Sequence, residues 1–400
     1  MRILFLHGPA DLYGASRSLL RLTSRLVREG NCVSVILPAD GDLARQLRAE
    51  GVLVIVDEEL AIVSRQEFRN IWHVLRFARL VFRSCRRLSA LVREHSPDVI
   101  HTNTALILPG GIVGRLCRIP HICHVREIFV EFSKVWVLYQ WFLYMFCDRI
   151  LCVSHAVAEQ FHPRIRARKI QVLHNGFPLD EFNPVPEERV IRFRDSFGLN
   201  GQRLIGLVGR IRFGRKGQDV FLRAAAVLKP KFTNLRFLCI GSPFPGNEDH
   251  LRLFDSLVEE LGLEDSVLCT GDVEDIKAAY AALDISAHCS TLPEAFGGVV
   301  IESMAMGKPV VATAIGGTLE QIEDGRTGLL TTPGDEQELA VALEQLLLQD
   351  DLILELSQNG RKRFEQEFEF EKFFRTLMSV YEDVLKERRI CAADLSGQAN

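Results

Sequence analysis

The chain has 400 residues, of which 47% are hydrophobic and 25% charged, with 48 Lys and Arg against 52 Asp and Glu. This balance is typical of a folded globular protein and excludes the disordered and collagen-like classes. The length exceeds that of one ordinary α/β domain and predicts two domains of roughly 150–200 residues each. The net charge of −4 hides an asymmetry, because the first 180 residues are net positive and the remainder net negative.

The N-terminal sequence predicts a buried strand and not a secretion signal. The apolar run from Arg2 to Leu6 is shorter than the apolar core of a signal peptide, and Gly8 and Pro9 end it. The ten cysteines are scattered without metal-binding spacing, which favours reduced thiols. We therefore expect a cytoplasmic protein, with the inner face of the membrane as the alternative location.

Short apolar runs alternate with helical patterns in the first half, as in the βαβ units of a parallel sheet. The predicted strands cover residues 3–6, 33–37, 53–56, 99–101, 121–124 and 150–153. After the first strand, Leu19, Leu22 and Leu26 recur at helical spacing, with Ser16 as the predicted N-cap and Gly30 at the end.

A second series of strands begins near residue 204. Its predicted strands cover residues 204–208, 235–240, 267–269, 285–287, 309–312 and 328–330. The segment 175–200 between the two series is rich in proline and charge and predicts a linker. Residues 335–386 have a helical pattern almost throughout. The whole pattern predicts an α/β fold with two doubly wound domains.

Eight arginines and one glutamate, Glu67, lie in a single stretch of the first half (Arg65, Arg69, Arg76, Arg79, Arg83, Arg86, Arg87 and Arg93). Nucleic acid and an anionic membrane both fit such a helix, but no nucleic-acid recognition motif accompanies it. Residues 135–147 are rich in Trp, Tyr and Phe, yet they are too few to cross a membrane. They predict a helix packed in the first domain. The alternative is that this segment and the arginines together contact a membrane surface.

The most informative string combines two glutamates with two glycines. Glu294 is predicted in a loop, Gly297 and Gly298 follow it, and an apolar helix begins near Val299. Glycines let the backbone approach a ligand closely, and a helix start presents unpaired N–H groups to an anion. Glu302 lies on the first turns of this helix, about 12 Å of helix rise from Glu294 at ~1.5 Å per residue. One carboxylate can therefore hold a sugar ring and the other a ribose, with a diphosphate between them.

A second string places Arg210 and Lys216 between a predicted strand and a predicted helix. This position is the carboxyl edge of the sheet, where ligands bind in open α/β folds. The two cations can neutralise the charge that develops on a departing diphosphate. The alternative is a basic loop exposed to solvent.

Two histidines lie at the ends of predicted strands in the first half. His101 is followed by Asn103, and His124 ends the strand predicted at 121–124. A single histidine in such a position is more often structural than functional. The sequence Asp40-Gly-Asp42 predicts a turn after the second strand, and no metal site is predicted.

The two strings resemble glycosyltransferase family 4, whose members are retaining enzymes of the GT-B fold. The resemblance extends from Gly8 to Tyr381 and includes Asn175-Gly176, Gly316-Gly317, Glu320 and Asp324-Gly325-x-x-Gly328. It implies two facing Rossmann-like domains with a C-terminal crossover helix. An acceptor-side domain would cover residues 1–180, joined by a helix at about 371–388, and a donor domain would cover 190–370.

The resemblance also implies roles for individual residues. Catalytic roles fall to His124, which would touch the donor sugar near the reacting carbon, and to Arg210, Lys216 and Glu294. In the family, the counterparts of Arg210 and Lys216 hold the diphosphate, that of Glu294 contacts sugar hydroxyls and that of Glu302 binds the ribose. The remaining predicted residues approach the donor (Gly14, Phe296, Gly297, Gly298 and Val299) or line the acceptor side (Ser16, His101 and Asn103). Tyr13-Gly14 stands where the family has a Gly-Gly pair, of which Gly14 keeps the second member.

The predicted function is transfer of a sugar, with retention, from a UDP- or GDP-sugar to an acceptor hydroxyl in glycan, polysaccharide or glycolipid biosynthesis. The predicted partners are the nucleotide sugar, a glycan or lipid-linked acceptor and an anionic membrane. No cofactor, metal ion or nucleic acid is expected. The family is thought to react on one face of the sugar, with the leaving phosphate assisting the acceptor. The alternatives are a nucleotide-sugar epimerase of the same fold, a non-catalytic nucleotide-sugar-binding subunit and, more distantly, a nucleic-acid-binding protein.

Overall fold

The computed structural model describes residues 1–64, 67, 70–129 and 133–397. It divides into two compact units: residues 1–176 with 371–400 form the first unit, and residues 177–370 form the second. The second unit is therefore one continuous segment, and the first is assembled from the two ends of the chain.

A parallel sheet of seven strands forms the centre of the first unit. Its strands are β1 (Arg2–Leu6), β2 (Cys32–Leu37), β3 (Leu53–Val56), β4 (Val99–Thr102), β5 (His121–Val125), β6 (Arg149–Cys152) and β7 (Ile170–Val172). The spatial order is β3-β2-β1-β4-β5-β6-β7. The first six strands were predicted to within one or two residues. The edge strand β7 was missed because it has three residues, one of them Gln171, and forms no apolar run.

The helices of the first unit are α1 (Gly14–Arg28), α2 (Asp42–Ala49), α3 (Ile71–His95), α4 (Pro109–Cys117), α5 (Ser133–Phe146), α6 (His155–Glu159) and α7 (Pro163–Lys169). Helix α1 corrects one prediction, since Ser16 is not its N-cap. The backbone is still extended at Tyr13 and turns helical at Gly14, which leaves Ser16 buried inside the first turn. The hydroxyl group of Ser16 contacts Nε2 of His7 at 3.0 Å.

The second unit contains a parallel sheet of six strands. They are β8 (Arg203–Val208), β9 (Leu235–Ile240), β10 (Val267–Gly271), β11 (Ile285–His288), β12 (Val310–Thr313) and β13 (Leu329–Thr331), in the spatial order β10-β9-β8-β11-β12-β13. All six were predicted. Every strand pair in both sheets is parallel, and the central strands are buried on both faces, as their continuous apolar sequences require.

The helices of the second unit are α8 (Glu187–Ser196), α9 (Gln218–Leu228), α10 (Asp249–Glu260), α11 (Ile276–Ala282), α12 (Gly298–Ala305), α13 (Thr318–Gln321), α14 (Glu336–Leu348) and α15 (Asp350–Arg363). Helix α8 corrects the predicted linker at 175–200. It buries Phe193 against α11 and joins it through the Arg189–Asp275 ion pair at 2.6 Å. Pro186 misled the prediction, because a proline directly before a helix is compatible with that helix.

The chain returns to the first unit through its last helix. A short π-helix (Phe364–Phe368) is followed by α16 (Phe370–Gly397), whose residues from Glu371 onward belong to the first unit. Tyr381 of α16 is buried, and its hydroxyl group lies 2.7 Å from Nδ1 of His101. The predicted fold class, two doubly wound parallel sheets with a C-terminal crossover helix, is confirmed.

Two further observations concern the described residues as a set. None of the helices that the structure describes is both long enough and apolar enough to cross a bilayer. The cysteines whose side chains are described are free thiols.

Candidate functional site

Both sheets reverse their strand order beside their first strand. The reversal lies between β1 and β4 in the first unit and between β8 and β11 in the second. Loops at the carboxyl ends of such strand pairs separate, and the crevice between them is where open α/β sheets bind ligands. His7 and Asn103 follow β1 and β4, and Lys216 and Glu294 follow β8 and β11. Each unit therefore carries a candidate half-site at its own reversal point.

In the second unit, Lys216 and Glu294 form an ion pair. Nζ of Lys216 lies 2.6 Å from Oε1 of Glu294, and the two side chains are 28% and 13% exposed. The hydroxyl group of Ser290 donates to the same carboxylate oxygen, and Nε2 of His288 lies 3.6 Å from it. The three partners converge on Oε1. Together they hold the carboxylate through Oε1, and these three contacts do not involve Oε2.

The charge state of Glu294 follows from these contacts. Burial alone would raise the pKa of this carboxyl group, but the neighbouring His288 and Lys216 outweigh burial and hold the pKa well below its ordinary range. Glu294 is therefore a carboxylate at neutral pH and accepts hydrogen bonds without donating any. Such a group is suited to binding the hydroxyl groups of a sugar.

Glycines set the position of both loops. Gly217 has a φ of 70°, and a Cβ on it would lie 1.8 Å from the carbonyl oxygen of Cys289. The loop after β8 therefore packs directly against the backbone at the end of β11. On the other side, a Cβ on Gly316 would lie 2.5 Å from the carbonyl oxygen of Glu294, and one on Gly317 would lie 2.4 Å from that of Ala295. Only glycines let these three backbone segments approach so closely.

The start of α12 offers hydrogen-bond donors next to Glu294. Gly297 occupies the N-cap without a side-chain cap, and the first turn contains no acidic residue. Its first N–H groups are therefore available to an anion. Gly297 also leaves space at the other carboxylate oxygen, since a Cβ there would lie 3.2 Å from Oε2 of Glu294. Gly298 and Val299 begin the helix at this point.

Three further predicted residues border this half-site. Glu302 is half-buried on α12, and its Oε2 accepts a 2.8 Å hydrogen bond from the hydroxyl group of Tyr280. Phe296 packs its edge on Phe368, with ring centroids 5.8 Å apart. The guanidinium group of Arg210 lies 4.4 Å from the ring centroid of Phe244, a cation–π contact that holds its side chain at the loop after β8.

In the first unit, His124 presents an unsatisfied nitrogen. It is completely buried at the end of β5, and among the described residues its Nε2 has no hydrogen-bond partner. Nδ1 lies 3.4 Å from Nη2 of Arg126. Burial, followed by the charge of Arg126 and the neighbouring His101, holds the pKa of His124 well below its ordinary value. The imidazole is therefore neutral at neutral pH.

Arg126 connects the residues of this half-site. Its Nε donates to Oδ1 of Asn103 at 2.9 Å and its Nη1 to Oδ1 of Asn175 at 2.5 Å. Burial lowers its pKa to about 10, although Glu127 beside it acts in the opposite direction, so the cation is retained at neutral pH. Sequence reasoning did not single out Arg126. The available signal was a charged residue directly after a buried strand at the carboxyl edge of the sheet.

The other predicted residues of the first unit lie around this network. His7, also missed, contacts Asn103 at 3.2 Å and Ser16 at 3.0 Å, and burial, then Arg126, lowers its pKa to about 3. The rings of His101 and His124 are 5.7 Å apart, but His101 is fixed by Tyr381 and by stacking on Phe5, as a core residue would be.

Gly14 begins α1 at the same edge, and a Cβ on it would meet nothing within 4 Å. The sequence Asp40-Gly-Asp42 forms a turn whose two carboxylates pair with Arg48 and Arg45. Within the described part of the chain, no three His, Cys, Asp or Glu side chains are grouped as metal ligands.

Both halves of the chain match known protein families. Residues 13–181 match the model of Glycosyltransferase Family 4, and residues 191–363 match that of Glycosyl transferases group 1. Together the two matches include every strand from β2 to β13 and the loops that carry Asn103, Arg126, Lys216 and Glu294.

Individual relatives support the same grouping. A D-inositol 3-phosphate glycosyltransferase of Corynebacterium urealyticum is 35% identical over 201 residues, which is 49% of this chain and 47% of the relative, so the match spans about half of that protein. The capsular polysaccharide biosynthesis glycosyltransferase CapM of Staphylococcus aureus is 27% identical over 81% of this chain and 88% of its own. The crystal structure of Anabaena HepE with UDP-glucose superposes with a TM-score of 0.81 at 26% identity, covering 96% of this chain and all of HepE. With both halves matched in order and the fold shared, this chain belongs to the group 1 glycosyltransferases of family 4, which have the GT-B fold.

Proposed function

We propose that the protein is a retaining glycosyltransferase that transfers a sugar from a UDP-sugar donor to a hydroxyl group of a glycan acceptor. The observation that carries the proposal is the Lys216–Glu294 pair at the reversal point of the second sheet, beside the uncapped start of α12. A cation, a carboxylate and free N–H groups are the three elements needed to bind a diphosphate linked to a sugar. The choice of UDP follows HepE, which binds UDP-glucose.

In this proposal the second unit holds the donor. The carboxylate of Glu294 accepts hydrogen bonds from sugar hydroxyl groups through Oε2, the oxygen that Lys216, Ser290 and His288 leave unused. Lys216 and Arg210 stabilise the diphosphate together with the first N–H groups of α12. Glu302, held by Tyr280, binds the ribose. The sequence resemblance assigns these roles, and the described geometry is compatible with each of them.

We assign the acceptor to the first unit. The sequence resemblance assigns His124 to the donor sugar and Ser16 and Asn103 to the acceptor. In the chemical step, the bond between the anomeric carbon and the diphosphate oxygen breaks and a bond from the acceptor oxygen forms on the same face. The acceptor proton passes to the departing phosphate oxygen. The protein contributes positioning and charge stabilisation, which suffices for a large rate enhancement.

The proposal is tested by titration calorimetry of the full chain with UDP-glucose, UDP-galactose, UDP-N-acetylglucosamine and GDP-mannose. We expect saturable binding of one UDP-sugar, weakened at least about ten-fold by Lys216→Ala and by Glu294→Ala, since each removes a charged contact. Lys231→Ala is the matched control, because Lys231 forms a 2.7 Å ion pair with Glu344 on the surface of the same unit. Equal loss in the control, or no binding of any donor, contradicts the proposal.

Incubation of the bound donor without acceptor separates transfer from epimerisation. A transferase leaves the nucleotide sugar intact apart from slow hydrolysis, whereas an epimerase converts it into a second nucleotide sugar. Appearance of a new nucleotide sugar by chromatography would overturn the transferase assignment. CapM acts in capsular polysaccharide biosynthesis, and we therefore direct the acceptor search first to oligosaccharides and lipid-linked saccharides.

A further inference from the structure

Helix α3 exposes large apolar side chains on one face. Trp72, Phe82 and Ile71 are 76%, 72% and 63% exposed, whereas Phe77 and Leu88 on the opposite face are buried in the first unit. At 100° per residue the exposed apolar positions occupy one continuous arc of the helix. Exposed apolar groups on this scale are uncommon unless another surface covers them.

The exposed apolar surface continues on the neighbouring helices. Helix α4 packs against both α3 and α5. The three helices connect β3 to β4, β4 to β5 and β5 to β6, and right-handed crossovers of this order place them in one layer on the same side of the sheet. Leu116 of α4 is 70% exposed, and Leu138 and Met145 of α5 are 76% and 58% exposed. The outward face of this layer, formed by α3, α4 and α5, is called the α3–α5 surface below.

Cations lie among these apolar groups. Arg76, Arg79 and Arg86 are exposed on the same arc of α3, and none of them forms an ion pair with any residue that the structure describes. Arg83 and Arg87 face Glu59 and Asp57, which neutralise part of their charge. Two more arginines, at 115 and 118, are exposed at the end of α4. Arg65 and Arg69 of the predicted basic segment lie outside the described residues.

We propose that the α3–α5 surface binds the surface of an anionic lipid bilayer. Trp and Phe at the level of the headgroups, aliphatic side chains inserted below them and Arg at the lipid phosphates are the composition of an interfacial helix. Nucleic acid would use the arginines but would gain little from Ile71, Leu138 and Met145, which cannot stack on bases. The exposed apolar groups are spread over three helices, which suits a fluid bilayer better than a folded partner. This proposal stands independently of the sugar chemistry.

Flotation of the full chain with lipid vesicles tests the proposal. We expect binding to phosphatidylcholine vesicles that contain about one third phosphatidylglycerol and little binding to pure phosphatidylcholine, with the difference reduced at high salt. Trp72→Ser with Phe82→Ser should weaken the partition coefficient at least about ten-fold. Arg76→Gln, Arg79→Gln and Arg86→Gln together should weaken it by about a hundred-fold at low salt, at about 1 kcal/mol for each arginine.

The matched control replaces exposed leucines of the second unit, Leu253→Ser with Leu354→Ser, whose side chains are 51% and 57% exposed. This variant should float like the parent protein. All the substituted side chains are exposed, so equal unfolding transitions exclude a folding defect, and unchanged donor titration separates this test from that of the proposed function. The proposal is overturned if the protein does not float with the vesicles, or if the substituted variants float like the parent protein. It is also overturned if the α3–α5 surface binds DNA instead, or if it forms a dimer and the same substitutions dissociate that dimer.

Discussion

Arg126 lies 3.4 Å from Nδ1 of His124 and, through a second nitrogen, donates a 2.9 Å hydrogen bond to Asn103. One buried cation therefore orients the end of β5 and the end of β4 at the same time. Burial, and after it the charge of Arg126, holds the pKa of His124 well below its ordinary value, so the ring is neutral. Its Nε2 has no hydrogen-bond partner among the described residues. Arg126 acts through His124, and we regard it as a positioning residue.

Substitution of Arg126 should therefore change the titration of His124. In Arg126→Met the pKa of His124 should rise towards its ordinary value, because one of the influences that lower it is removed. The rate of sugar transfer should fall at least about ten-fold, with a smaller effect on donor affinity. NMR titration of the His124 ring and steady-state kinetics measure the two effects. Arg126→Lys should keep the charge and restore part of the rate, whereas the exposed Arg115→Met should change neither quantity.

The buried histidines should make stability depend on pH. Burial, as the first cause, lowers the pKa of His7 to about 3 and that of His101 and His124 well below 6.5. The unfolded chain therefore binds more protons than the folded one below pH 6.5, and stability is complete above this pH and falls as the pH decreases. Each histidine contributes about 1.4 kcal/mol of loss per pH unit in this window.

Urea unfolding at pH 7.5 and pH 5.5 measures this effect. The free energy of unfolding should be lower at pH 5.5 by about 4 kcal/mol if all three histidines behave in this way. His101→Gln should reduce the difference by about a third. A pH-independent midpoint would show that these rings are protonated without cost and would contradict their burial as neutral groups.

Two glycines of the loop after β8 allow a matched comparison of two Gly→Ala substitutions. Gly214 and Gly217 have φ values of 68° and 70°, but only at Gly217 would a Cβ meet an atom, the carbonyl oxygen of Cys289 at 1.8 Å. Gly214→Ala should cost about 1 kcal/mol from the backbone conformation alone. Gly217→Ala should cost about 3 kcal/mol or more and should also weaken donor binding, since Lys216 moves with the loop. Urea unfolding and donor titration compare the two variants. Equal effects of the two substitutions on stability and on donor affinity would show that the loop can move away from β11 without a loss of free energy.

A substitution of Tyr280 tests the hydrogen bond that holds the side chain of Glu302 in place. Tyr280→Phe removes the hydroxyl group that donates to Oε2 of Glu302 at 2.8 Å and leaves the buried ring in place. We expect a loss of about 1 kcal/mol in stability and a several-fold weaker affinity for the nucleotide sugar, with the rate at saturation preserved. Affinity for UDP alone should fall by the same factor, because the ribose belongs to the nucleotide. An effect on the sugar but not on UDP would contradict the ribose role.

The periodicity of apolar residues was sufficient to predict the strands, because buried parallel strands form continuous apolar runs between turn residues. It failed at β7, where three edge residues form no such run, and at α8, where a proline before a helix resembles a linker. Lys216, Glu294 and Glu302 were found because glycines and sheet topology mark the carboxyl edge. His7, Arg126 and His288 were missed, since their roles depend on contacts between residues distant in the chain. The side-chain roles assigned to all these residues stay predictions.

The chain returns to the first unit only at Glu371. This sets the order in which the two units can be completed during synthesis. When residues 177–370 have left the ribosome, the second unit has all its strands and can close, while the first still lacks α16 and the Tyr381 partner of His101. The last part of the chain to be synthesised thus completes the unit whose synthesis began first. Shortened products that stop before α16 should display an unfinished N-terminal unit attached to a finished C-terminal one, which gives proteolytic quality control a way to distinguish them from the full-length protein.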